Sequence, residues 1–554
     1  MIPQQNSQIP HPSRGWVFDG WSIGAVFIAL VVLAPMAAVV WIALHPSDNI
    51  WPHLMATVLP RYLGTTLRMM IGVGVLAAIM GAGTAWLVTM YRFAGSRVMV
   101  WALLFPLAIP AYIGAYALVD FLDYAGPVQT ALRLTFGYND ARDYWFFQVR
   151  SEPVAMLVLA SALYPYVYLL TRAALREQRG GFYEVARSLG LGPWGMFWRL
   201  GVPMLRPAIA TGVALVMMET VADFATMQHF GVQTLTTGVF STWLNGNNAG
   251  GAAQLSGVIL VLILVLVGVE RRSRRHARFH SQSRSARPLL PVQLSRGQTV
   301  LALIACAVPF GLGFMLPVGV MAGHAIAQPA VWAEPGLIAA ALNTVLVAGT
   351  AAGLTVLAAL FLVYGVRMAG RKLARAVLPV TTLGYAAPGA VLALGLLVPL
   401  AALDHRVADF IQSVSGRDPG LLLTGTAAAI VLAYLVRFFG IAQGAIDTAF
   451  GRISPNLPMA ARSLGRGAGG TLGAVYLPLM RGSVAASLLV VFVDCVKELP
   501  ATLLLRPFNF NTLSTRVYEL ASLEQLSKAA PAALVVVAMG LVAVALLARA
   551  TRDT

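Results

Sequence analysis

Charge is scarce in this chain: Asp, Glu, Lys and Arg make up 11% of its 554 residues, and acids are the rarer sign, 22 against 39 bases. With 58% hydrophobic residues and a mean hydropathy of +0.75, a water-soluble fold is excluded and an integral membrane protein is implied. Cysteine is nearly absent. Cys306 and Cys495 both fall in apolar runs, which leaves no disulfide framework and no thiolate metal cluster. A phosphate loop of the form Gly-x-x-x-x-Gly-Lys-Ser/Thr is missing too, so any nucleotide chemistry must reside on another polypeptide. No nucleophile has a base in reach by spacing, and the chain is not expected to be an enzyme. The net charge of +17 does not point to nucleic acid, because the basic residues sit in short stretches between apolar spans rather than along one face of a domain.

What the sequence has in quantity is long apolar runs. At about 20 residues per crossing, they divide into twelve expected helices centred near Val31, Ala78, Pro110, Leu163, Val216, Leu262, Val308, Val347, Ala390, Ala433, Leu489 and Val537. An even number returns the chain to its starting side. The basic stretches at Arg92 and Arg97, 172–206, 271–296, 367–375 and 452–481 then share one face, cytoplasmic by the positive-inside rule, together with both termini. Asp120, Asp123, Asp140, Asp143 and Glu152 fall on the external side. The polar segment 1–20 precedes a first span too long for a signal-peptide core and is expected to remain as a cytoplasmic tail.

A polar segment occurs twice. Glu184-Val185-Ala186-Arg187-Ser188-Leu189-Gly190 runs on to Pro203, and Met459-Ala460-Ala461-Arg462-Ser463-Leu464-Gly465 runs on to Pro478. Superposing the two also aligns Glu219 with Asp494 and Asp223 with Glu498, so the chain is an internal duplication of two parallel six-helix halves. The halves are expected over 21–270 (core about 62–268) and 299–550 (core about 340–547), joined by a basic cytoplasmic linker at 271–298. A glycine-broken polar hairpin cannot lie in hydrocarbon, where each unpaired backbone group costs several kcal/mol. It must face water and a soluble partner. Both copies match Gly-x-Gly-x-x-Gly, but neither follows a strand or opens a Rossmann crossover, and a dinucleotide site is discounted.

The first copy, from Glu184 through Gly190, Phe197 and Pro203 to Pro207, resembles the EAA loop of ABC importer permeases, and the second is similar in Ala461, Gly465 and Pro478. The resemblance implies an all-α membrane fold of the type I importer class, in which a short helix of this loop docks on an ATP-hydrolysing subunit. Glu184, Ala186, Gly190, Phe197, Pro203, Ala461, Gly465 and Pro478 then carry coupling. Phe197 and Trp198 are expected as buried anchors, Gly190 and Gly465 as turn formers. The second copy departs from the pattern with Met459 in place of Glu184, which implies weaker or different pairing there.

The helix after each loop carries charge at membrane depth. Glu219 and Asp223 are expected on one helical face, roughly 18 to 24 Å beyond Pro207 at 1.5 Å per residue, and Asp494 and Glu498 repeat them, with Lys497 one turn from Asp494. Charges there cost about 2.5–3.5 kcal/mol each. They are therefore expected to face the bundle interior as a pathway, or to pair structurally. Carboxylates suit ferric iron but equally polyamines or thiamine. Arg437 is expected to snorkel toward the cytoplasmic end of its span, and His229 and His324 to be interfacial polar groups rather than metal ligands.

Met218-Glu219-Thr220-Val221-Ala222-Asp223-Phe224 and Val496-Lys497-Glu498-Leu499-Pro500-Ala501-Thr502 look like the corresponding stretches of ferric-iron ABC transporter permeases with both halves fused. Thiamine permeases share the fused architecture, so cargo stays open between them at this point. The resemblance implies a bacterial inner-membrane permease, one copy working with two ATPase subunits that hold ATP and Mg, and an external substrate-binding protein. A secondary carrier would have no need of the repeated docking loop.

Overall fold

The computed structural model describes residues 20–550 apart from 179, 276–290, 370, 383, 385, 386 and 455. The expected N-terminal tail up to residue 19 and the middle of the basic linker lie outside the described residues. The described residues are mostly helical. Among the described residues eleven helices are long and apolar enough to cross a membrane, and a bent pair makes a twelfth span if counted as one. In chain order these are α1 (Gly20–Leu44), α2 (Leu59–Met90), the broken α3 (Ser96–Ala108 with Ala111–Phe136), α4 (Glu152–Glu177), α5 (Pro193–Ala222), α6 (Ala249–Arg272), α7 (Arg296–Ala327), α8 (Leu337–Met368), α9 (Gly389–Ser415), α10 (Ala427–Arg452), α11 (Ala468–Lys497) and α12 (Leu526–Leu546).

The break in α3 corrects the expectation of a continuous helix centred on Pro110. Its two parts meet at 96°. Pro110 has no N–H to donate and drives Ile109 out of the helical region, to φ −107° and ψ 125°. Pro110 itself becomes the extended N-cap of the second part. Pro388 plays the same part at the start of α9, with φ −57° and ψ 148°. A proline thus opens the inner segment of the corresponding helix in each half.

Cross-helix contacts sort the helix ends onto two faces. On the basic face, Tyr91–Arg92 pairs in parallel with Val292–Gln293, tying the end of α2 to the strand before α7. Arg367 on α8 meets Asp447 on α10 there at 2.6 Å. On the opposite face, Arg68 meets Glu152 at 3.1 Å, and His324 Nε2 lies 2.9 Å from Asp120 Oδ2 with Ser527 Oγ 3.2 Å from its Nδ1. His324 is thus an interhelical polar group.

The two halves interpenetrate. α1 packs on α8 and α9 of the second half, and α7 packs against α3 of the first. Glycine makes these approaches close: a Cβ on Gly395 would stand 2.1 Å from the Pro35 carbonyl oxygen, and one on Gly313 would stand 2.2 Å from that of Ser161. Without a hydrophobic driving force between helices in lipid, such small-residue contacts supply the packing.

Duplication is visible in bonding as well as sequence. Thr66 Oγ1 accepts from the Leu235 N–H at 3.0 Å, and Thr344 Oγ1, 278 residues on, accepts from Leu513 N–H at 2.8 Å. Capping boxes at Thr234/Thr237 and Thr512/Thr515 repeat at the same separation.

Candidate functional site

The two polar elbows are built alike on the basic face. Helices Gly180–Ser188 and Asn456–Ser463 each end in a glycine in the left-handed region, Gly190 at φ +82° and Gly465 at φ +79°. The closing bonds match. Leu191 N–H donates to Ala186 O and Arg466 N–H to Ala461 O, both at 3.1 Å, which satisfies carbonyls at the helix end. Ala186 and Ala461 are buried, whereas Glu184 and its counterpart Met459 are exposed.

Each elbow then re-enters the bundle through a π-helical turn, Phe197–Gly201 and Leu472–Tyr476, immediately before Pro203 and Pro478. A proline near a helix start removes an N–H and crowds the preceding turn, so the widened turn just before it is a physical consequence of the repeated proline. An aromatic on the long helix behind each elbow fixes it. Trp86 packs edge-on against Tyr183 and Phe197 at 5.7 and 5.3 Å, and a Cβ on Gly201 would clash with its ring. In the second half Tyr364 stands in the place of Trp86. It donates to Ala468 O at 2.6 Å and meets Tyr476, a larger residue where the first half has Gly201. The smaller ring at the Trp86 position is thus matched by a larger residue at the Gly201 position.

Of the two residues expected as buried anchors, Phe197 is half-buried with its ring against Trp86 of α2, and Trp198 is exposed. The most exposed aliphatic groups of the elbows are Leu189 and Leu464, 77% and 82% exposed at equivalent positions, with Trp194 and Trp198 beside the first. The sequence signal was present, since Leu189 and Leu464 belong to the repeated motif.

All five charged residues expected in the pathway line one cavity of about 140 Å³ between the halves: Glu219, Asp223, Asp494, Lys497 and Glu498. Arg437, Tyr166 and the broken segment of α3 around Pro110 complete its wall. Glu219 and Asp494 are partly buried on α5 and α11. Asp223 and Glu498 are not on those helices, which corrects the expectation of two carboxylates on one helical face. They are the extended residues that end them, and each turns its carboxylate onto the next short helix. Asp223 accepts from the Thr226 N–H at 2.8 Å and from its hydroxyl at 3.0 Å; Glu498 accepts from the Ala501 N–H at 3.1 Å. Carboxylates at helix N-termini are stabilised by the free N–H groups there.

Arg437 is the residue that sequence reasoning misplaced. Rather than snorkelling, it is buried, with Nε 3.0 Å from Glu498 Oε2 and its guanidinium 5.7 Å from the Phe438 ring centre. Desolvation forces the pairing, since an uncompensated charge at that depth costs more than the side-chain ordering. Lys497 bridges the halves. Its Nζ lies 3.1 Å from Asp494 Oδ1, as the spacing implied, and also donates to the Leu107 carbonyl at 3.1 Å, which the break in α3 leaves open. Among the described residues no three of His, Cys, Asp or Glu converge closely enough to hold a metal ion. The cavity is lined by charges of both signs drawn from both halves.

Residues 70–278 match the family model described as the binding-protein-dependent transport system inner membrane component. An Fe(3+)-transport system permease protein of Haemophilus influenzae is 28% identical over 481 residues, covering 86% of this chain and 87% of the relative. A ferric transport system permease protein of Actinobacillus pleuropneumoniae is 21% identical over 520 residues, 88% of this chain and 72% of its own. Among solved structures, a bacterial alginate ABC transporter in complex with an alginate-bound periplasmic protein has a chain that matches 46% of this one and 92% of its own length, at 18% identity and a TM-score of 0.38.

Proposed function

We propose that the chain is an inner-membrane permease of a binding-protein-dependent transport system, with two permease halves in one polypeptide, and that its cargo is ferric iron. The observation that carries the cargo reading is the cavity of four carboxylates against two cations, drawn from both halves at the level where both halves break their helices. Hard oxygen donors favour a hard cation. The relatives that match along most of this chain are named as ferric permeases.

In this reading the basic face is cytoplasmic, the broken α3 counts as one crossing, and both termini lie inside. One chain offers both elbows, so it engages two ATPase subunits, which hold ATP and Mg, while a loaded binding protein docks outside. ATP and the loaded binding protein each favour the outward-facing state, and this shared preference couples the two sites. The elbows transmit the movement because Trp86 and Tyr364 bind them to the long helices α2 and α8. The chain itself does no covalent chemistry. Ferric iron is handled as substrate, passed along single carboxylates that hold it too weakly to trap it.

ATP turnover of the reconstituted complex tests the cargo. Binding protein loaded with ferric iron is expected to stimulate hydrolysis several-fold over the empty protein. Stimulation by a thiamine- or polyamine-loaded binding protein, with none by iron, would contradict the assignment.

A further inference from the structure

Away from the cavity, the basic face carries a recess of about 820 Å³ bounded by the ends of α2 and α4, the start of α3 and Pro291. Four arginines line it: Arg92, Arg97, Arg172 and Arg176. No Asp or Glu does, and among the described residues none of the four makes an ion pair. Arg172 and Arg176 stand one turn apart on α4, a spacing at which like charges repel. Arg172 is moreover partly buried, where a cation without a counter-charge is costly. The side chains are held in this arrangement by a rigid frame. The Tyr168 hydroxyl donates to the Val100 carbonyl at 3.0 Å, fixing α4 to α3, and the strand pair of Arg92 with Gln293 closes the far wall.

A concentration of positive charge with no counter-charge among the described residues calls for an anion, and guanidinium forks match phosphate oxygens. We infer that this recess is a binding site for a phosphate group, supplied by the headgroup of an anionic phospholipid of the cytoplasmic leaflet. Two observations favour a lipid over a soluble phosphate. Arg172 lies five residues short of the end of α4, about 7.5 Å at 1.5 Å per residue, which is headgroup depth. Val98, 65% exposed, Val88 and Val100 line the same recess, an aliphatic wall for an acyl chain that an inorganic ion has no use for. The site would pin the α2–α3 turn and the strand after the linker beneath the first elbow.

The orientation signal common to all basic ends does not require a defined site, and the test separates the two. The intact chain is purified in mild detergent and the retained phospholipid counted by native mass spectrometry, for the natural protein, R172Q/R176Q, R172K/R176K and, as a charge-matched control elsewhere on the same face, R296Q/R452Q. After exchange into vesicles of phosphatidylcholine with or without phosphatidylglycerol, the natural chain and R296Q/R452Q are expected to hold one phosphatidylglycerol, and R172Q/R176Q to lose occupancy about tenfold or more. R172K/R176K keeps the charge without the fork and should fall between them, which keeps the test usable if R172Q/R176Q folds poorly. Equal retention by R172Q/R176Q, or equal loss in R296Q/R452Q, overturns the site. Displacement of the lipid from the natural chain by excess inorganic phosphate overturns the lipid as its source.

Discussion

Replacing Glu498 by alanine is expected to cost about 3–5 kcal/mol of stability, an effect on assembly before any effect on transport. The reason is the partner left behind. Arg437 and Glu498 are 10% and 4% exposed and 3.0 Å apart, so removing one strands the other in a low-dielectric interior. The same change removes the acceptor for the Ala501 N–H at the start of the short helix beyond α11. Arg437→Met alone should destabilise similarly. Arg437→Met with Glu498→Met should recover most of the loss, because a volume-matched apolar pair carries no buried charge. Thermal unfolding of the purified chain, followed by loss of monodispersity, reads the result. Additive losses in the double variant would show that the two side chains do not act as a pair.

The second large effect falls on the elbows. Nothing lies within 4 Å of a Cβ built on Gly190 or Gly465, so a substitution there meets no steric wall and is opposed only by the positive φ. For a β-branched side chain that opposition is about 1–2 kcal/mol, enough to turn the short helix away from its aim without unfolding the bundle. Gly190→Val and Gly465→Val should therefore leave a folded permease whose uptake per ATP hydrolysed falls about tenfold. Asn tolerates the left-handed region, and Gly190→Asn should restore most of the coupling. Equal loss in the Asn and Val variants would move the cause from backbone conformation to the side chain itself.

The elbows were legible because their constraints are local: a positive-φ glycine and a helix-starting proline leave fixed marks in sequence, and duplication printed them twice. Span count was legible in the apolar runs, but the break within one span was not. Apolar windows average over a proline, so Pro110 looked like a helix centre when its missing N–H makes it a break. Glu219 and Asp494 could be placed at depth by counting from Pro207. The part played by Asp223 and Glu498 could not, since helical spacing was extended past the point where both helices stop. Arg437 was misread because its partner comes from a different helix and the first half has no arginine to match it. Nor did the sequence reveal that four arginines from three separate segments share one recess, because their proximity depends on the pairing of α2, α3 and α4.

Iron accumulation by proteoliposomes containing the permease, its ATPase and the loaded binding protein tests the pathway most directly, comparing the natural chain with E219Q/D494N. Both substitutions keep size and hydrogen bonding while removing charge from the cavity residues that lie on α5 and α11. Uptake is expected to fall about tenfold or more, with assembly and ATP turnover retained. Undiminished accumulation by E219Q/D494N would contradict a carboxylate-lined route for the ion through this cavity.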